Sequence, residues 1–196
     1  MWFTMSDTMW TYARILLKDQ LGFKVGKKEW DERHNELFDV VSGEFISITE
    51  GKYTNAEWEE KELVKITLRD DTVGKIIVST AWTSVARNII NSFAGEEKLG
   101  KIEMWLYKKA GKNGKYYPNI WIKNDWAKLK RKYTVEQQSE LVKEVEFKGK
   151  KMRDFVELEN VLRKEYGAIN KKSQYTEKDA PEVKEEIDVD NSDLPF

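Results

Sequence analysis

Five separate runs of this chain read as β-strands, most of them alternating apolar and polar residues with period two, and that repetition constrains the fold more than any other feature. Successive side chains of a strand point to opposite faces, so each run reads as a half-buried β-strand. The first, "LFDVVSGEFISIT" from Leu37, is long and contains Gly43, where a bulge or sharp bend would let a sheet curl. In the second, "ELVKITL", Val64, Ile66 and Leu68 fall on one face and Lys65, Thr67 and Arg69 on the other. "RDDTVG" is a turn, with Asp70 and Asp71 as its turn residues, and "KIIVSTAW" returns as the antiparallel partner. The last two runs, "KIEMWLYKK" and "KYYPNIWIK", flank a Gly-Lys-Asn-Gly turn and form the clearest hairpin in the chain.

Between the third and fourth runs the period changes. "TSVARNIINSFAG" starts with a Thr83 or Ser84 cap, gathers Val85, Ala86, Ile89, Ile90 and Phe93 on one helical face, and closes at Gly95. Five strands with a helix between the third and fourth is the order of an OB-fold, a small Greek-key barrel. The expected fold is therefore mainly β, with a five-stranded OB-fold barrel over residues 37–126. Residues 1–36 read as a helical extension, capped at Ser6 or Asp7, carrying Trp10, Ala13, Leu16 and Leu17, and stopping near Gly22. Residues 127–169 form a basic and helical extension. Within it "TVEQQSELVKEVEFKG" fits helix or strand, while "MRDFVELENVLRKEYG" places Phe155, Val156, Leu158, Leu162 and Tyr166 near one helical face. Residues 170–196 lose apolar periodicity and read as a disordered acidic tail.

Composition excludes several chemistries. The chain of 196 residues has no Cys and one His, His34, which removes disulfides, thiolate nucleophiles and the common zinc sites, so no metal or cofactor is expected. The first residues, "MWFTMSDTMWTYARILL", lack a basic leader and are interrupted by Asp7 and Arg14. No run approaches the roughly 18 apolar residues of a membrane helix, so no membrane partner and a cytoplasmic location are expected. Carboxylates sufficient for a metal-dependent enzyme do not cluster, and "GKNGK" is a hairpin turn without a following helix, so the chain reads as non-catalytic. Charge is unevenly divided: residues 175–196 hold 8 acidic and 2 basic side chains, leaving 32 basic against 27 acidic elsewhere. A basic body with an acidic tail suits a polyanion-binding surface.

Candidate site residues follow from the last hairpin. With Ile102, Met104, Leu106, Ile120 and Ile122 inside, Trp105, Tyr107, Lys101 and Lys109 point outward on one strand, and Tyr117, Asn119, Trp121 and Lys123 on the other. Rings beside ammonium groups suit single-stranded nucleic acid, whose bases stack and whose phosphates meet cations. Lys65, Arg69 and the run Lys128, Lys130 and Arg131 add further cations. The other reading of these rings is packing beneath the terminal helices or in a subunit interface.

The sequence closes on "DNSDLPF", with Asp188, Asp190 and Asp193 ahead of Leu194, Pro195 and Phe196. With the strand order and the aromatic, basic face, this resembles the single-stranded DNA-binding proteins of replication, most of all those of bacteriophages. The resemblance implies a protein that coats single-stranded DNA in replication, recombination and repair. It implies docking of the acidic tip, through Phe196, to a polymerase, helicase or primase, competition of the tail with DNA for the basic groove, and a location in the host cytoplasm if viral. It also admits a homo-oligomer. The alternative is a carbohydrate-binding or other protein-interaction β-module using the same aromatic face.

Overall fold

The computed structural model describes residues 10–17, 21–27, 36–54, 58–111 and 114–176. Its strands are β1 (Trp10–Leu17), β2 (Leu21–Lys27), β3 (Glu36–Phe38), β4 (Val40–Thr54), β5 (Glu60–Asp70), β6 (Gly74–Ala81), β7 (Lys101–Ala110), β8 (Tyr116–Asn124), β9 (Ala127–Lys128), β10 (Lys143–Phe147) and β11 (Lys150–Asp154). Its helices are α1 (Ser84–Gly95), α2 (Val135–Glu140), α3 (Val156–Lys164) and α4 (Tyr166–Asn170). Nine strands form one mixed sheet in the order β3-β2-β1-β6-β5-β4-β7-β8-β9, and β10 and β11 pair separately.

The expected closed barrel is not what forms. The sheet ends at β3 on one side and β9 on the other, and it does not close on itself. Closure would need β6 to pair with β8. The outer edge of β6 is instead filled by β1, in parallel register from Trp10↔Lys75 to Arg14↔Ser79, and β8 is followed by the two-residue β9. The expected N-terminal helix is corrected by the same contact. "WTYARILL" is a strand in which Ala13 and Ile15 are buried and Arg14 is exposed. Its apolar residues satisfy both periods, and the unpaired β6 edge together with a second partner, β2, decides for the strand. The suggested cap at Ser6 or Asp7 lies outside the described residues.

β4 explains how one long strand serves two neighbours. Val40–Glu44 pairs with β7, and Glu44–Thr54 pairs with β5. A Cβ on Gly43 would stand 2.7 Å from the Arg69 carbonyl oxygen, so only glycine admits that approach. The register irregularity itself falls later, between Phe45 and Ser47.

The core lies between the apolar face of the sheet and the helices. Ile48, Val64, Ile66, Leu68, Ile102, Met104 and Val78 meet Val85, Ile89, Ile90 and Phe93 of α1, with Leu162 and Ile169 from the C-terminal helices. Phe45 and Phe93 meet edge to face, with centroids 5.2 Å apart, a geometry worth about 1 kcal/mol beyond its burial. α1 starts where Thr83 Oγ1 accepts the Ala86 N–H. Two asparagines splice distant backbone together. Asn91 Nδ2 donates to the Tyr133 carbonyl and its Oδ1 accepts the Tyr133 N–H, and Asn170 pairs in the same way with Ile48. The ambiguous run after Thr134 divides into α2, capped by a reciprocal Thr134–Gln137 box, and then β10.

The tail reading needs one correction. Residues 171–176 are ordered against the body: Leu99 N–H donates to the Lys172 carbonyl, and Gln174 N–H donates to the Leu99 carbonyl. Residues 177–196 lie outside the described residues.

Candidate functional site

The β7–β8 hairpin has two unlike faces because alternation along both strands is in register. Ile102, Met104, Leu106, Ile120 and Ile122 are buried in the core. On the outer face Trp105 lies opposite Trp121, Glu103 opposite Lys123, Tyr107 opposite Asn119, and Lys109 opposite Tyr117. The Trp105 and Trp121 centroids are 4.7 Å apart with planes at 57°. Lys123 Nζ sits 4.4 Å from the Trp105 centroid and 5.1 Å from that of Trp121, and 3.9 Å from the Glu103 carboxylate. A cation over rings is favourable by about 0.5–1 kcal/mol at an exposed site. It also fixes the lysine in place.

Exposure sorts these rings into two roles. Trp121, Tyr107 and Tyr117 are 39%, 42% and 48% exposed, enough for a planar group to lie on them. Trp105 is half-buried, and its indole N–H is buried without a partner among the described residues. Trp105 therefore backs Trp121 more than it offers a surface of its own.

Register carries the face across the sheet. Facing residues of antiparallel strands share a face, so Arg69 (β5), Glu44 (β4) and Lys101 (β7) form one row. Two strand spacings separate Arg69 from Lys101, about 10 Å. Lys65 lies opposite Thr49, further along β4, with its side chain draped over Gly51. Lys128 lies opposite Lys123. The outer surface thus carries a stripe, aromatic on β7–β8 and cationic towards β5. The helices do not cover it: α4 holds the Ile48 backbone through Asn170, and α3 places Arg163 against Glu50 and Glu62, residues that alternate with the outward Thr49, Leu63 and Lys65.

The basic run after Trp126 is not kept together. Lys128 joins the stripe, the Lys130 N–H donates to Glu96, and Arg131 faces a cavity beside α1. Lys132 is drawn inward to Glu165, which also accepts from the Tyr133 hydroxyl at 2.6 Å. Burial raises the Glu165 carboxyl, but the hydrogen bonds from Lys132 and Tyr133 outweigh it and leave the pKa below the ordinary range. Burial and the Glu165 charge push the Tyr133 hydroxyl up to about 12.

Tyr116, Trp58 and Trp126 are among the exposed rings that sequence alternation missed. Tyr116 sits just beyond the predicted outward positions, and Trp58 and Trp126 lie in turns, where no periodicity marks a face. Asp125 and Trp126 both have positive φ, as a type I′ turn requires. The Asn-Asp pair before Trp126 is the one available signal, and it marks the turn without predicting what the ring does. The expected docking residues Asp188, Asp190, Asp193, Leu194, Pro195 and Phe196 lie outside the described residues, as does His34.

Among the described residues no three His, Cys, Asp or Glu side chains come together as metal ligands, and no helix is long and apolar enough to cross a membrane. Set against known proteins, the chain matches no family model, no curated protein and no solved structure.

Proposed function

We propose that this protein binds single-stranded DNA without sequence preference, and that the stripe on the outer face of β7–β8 and β5 is its platform. The observation that carries the reading is the hairpin face left exposed among the described residues, where Trp121, Tyr107 and Tyr117 stand beside Lys101, Lys109 and Lys123. Bases stack on exposed rings whatever their sequence, while cations spaced along the same face meet the phosphates. Lys65, Arg69 and Lys128 extend the cationic part. Nothing in this arrangement calls for bond-making chemistry, so the protein acts as a non-catalytic coat for exposed strands during replication, recombination or repair. The acidic closing segment with Leu194, Pro195 and Phe196 then serves to recruit a partner enzyme of the polymerase, helicase or primase class.

Titration of the intact protein with oligo-dT and with matched duplex DNA, at two salt concentrations and followed by tryptophan fluorescence, tests the reading. Strong quenching by oligo-dT, weak response to duplex and a log–log salt slope of about −0.7 per neutralised phosphate are expected. Trp121→Ala should weaken oligo-dT binding by about 1–3 kcal/mol, the value of one base stack. Absence of quenching by either nucleic acid would assign the stripe to another ligand, a sugar or a protein.

A further inference from the structure

A groove of about 450 Å3 opens beside the first turns of α1, walled by α1, α2, the β10–β11 hairpin and the start of α3. Three guanidinium groups, those of Arg87, Arg131 and Arg153, line it against one carboxylate, Glu144. Arg87 is engaged: it donates to Glu159 at 2.7 Å, and its guanidinium carbon lies 3.9 Å from the Phe155 ring centroid. Arg131 and Arg153 are exposed, and neither pairs with a carboxylate among the described residues. Glu144 lies opposite Arg153 in the hairpin register, yet its carboxylate is 3.9 Å from Lys151. Two guanidinium groups at one concave site, neither of them ion-paired to the one carboxylate that lines it, form a receptor for an anion with paired oxygens.

The groove also shares a wall with the stripe. Asn88, which lines the groove, donates through Nδ2 to Asn119 Oδ1 at 3.1 Å, and Asn119 lies opposite Tyr107 on the stripe. The chain itself joins the two places, because Lys128 faces Lys123 and Arg131 follows three residues later.

We propose that this groove is a phosphate site of the same bound strand, with Arg131 and Arg153 clamping a backbone phosphate as the strand passes the edge of β8 beyond Tyr107. The proposal rests on the stripe being the platform for single-stranded DNA, and it adds a second, purely electrostatic station that base stacking does not supply.

The test uses the full chain, oligo-dT and the salt slope. Arg131→Gln with Arg153→Gln should lower the magnitude of the slope by about 0.7, the contribution of the one phosphate that is no longer neutralised. Arg131→Lys with Arg153→Lys should keep the wild-type slope with weaker binding, because charge remains and the two-pronged hydrogen bonding does not. Lys164→Gln with Lys171→Gln removes the same net charge from exposed positions away from the groove, and should leave the slope unchanged. A wild-type slope in the doubly substituted glutamine variant, or an equal fall in the Lys164 and Lys171 control, would overturn the groove and leave the stripe standing. Failure of the wild-type protein to bind oligo-dT would overturn both.

Discussion

Two of the aromatic-bearing hairpins, β7–β8 and β10–β11, are stabilised in opposite ways. In β7–β8 Ile102, Met104, Leu106, Ile120 and Ile122 enter the core, so the outward residues beside them stand on a surface held from beneath, while Lys108, Ala110 and Tyr116 near the turn are exposed. In β10–β11 no residue is buried: Val145 and Phe147, with Met152 across the strand, share one exposed face, while Glu144 opposite Arg153 and Glu146 opposite Lys151 share the other. An isolated two-stranded ribbon is marginal in water. Both places form antiparallel strands, but only burial of one face makes the other face a rigid platform. A stacking surface needs that rigidity, since a ring that must first be ordered loses part of its binding energy to entropy.

A matched pair of methionines provides the strongest way to break this contrast. Met104 is fully buried under β7–β8, and Met152 is 52% exposed on β11. Met104→Ala should cost about 2–5 kcal/mol. Met152→Ala should stay within about 0.5 kcal/mol. Urea unfolding of the two variants measures both, and comparable losses would mean that the outward face of β10–β11 is covered by something the contrast leaves out.

The link between the hairpins should fail next, and it should fail in acid. Glu165 ties Lys132 and Tyr133, which precede α2 and β10, to the C-terminal helices. Because its folded pKa is depressed, the stability it contributes is full above the unfolded carboxyl value of about 4.3, and is lost as pH falls through the lower folded value. Glu165→Gln should remove about 1–3 kcal/mol at neutral pH, and should flatten the pH dependence of stability below about pH 4.3. An unchanged acid limb in the variant would show that other carboxylates govern that range.

What the sequence disclosed follows the same division between local and distant causes. The strands β4, β5, β7 and β8 alternate over the stretches that have one buried face, and α1 is marked by its cap and its apolar stripe. Closure was not legible, since the edge that β6 presents is decided by a segment some sixty residues away in sequence, and "WTYARILL" fits either period. At the site, alternation placed Trp121 and Tyr107 outward, but not the half-burial of Trp105 under Lys123, which depends on how two indoles pack across strands. The basic run read as one patch because charge carries no direction. A turn through Asp125 and Trp126, followed by the pull of Glu165 on Lys132, sends its members to different surfaces.

The smallest expected effect isolates β10–β11 by itself. Its turn passes through Lys148 and Gly149, both at positive φ, and a Cβ on Gly149 would meet no atom within 4 Å. Gly149→Ala therefore introduces no clash and changes only the cost of the left-handed backbone, about 1 kcal/mol. If β10–β11 opens independently of the core, that cost falls on local opening. Amide exchange in β10 and β11 should then speed up about fivefold, while β7, β8 and the urea midpoint stay as they were. A shift of the global midpoint by the full amount would mean that the second hairpin unfolds only with the core. The two hairpins would then be one cooperative unit, and the exposure of Val145, Phe147 and Met152 would have to be stabilised by the same core that holds the stripe.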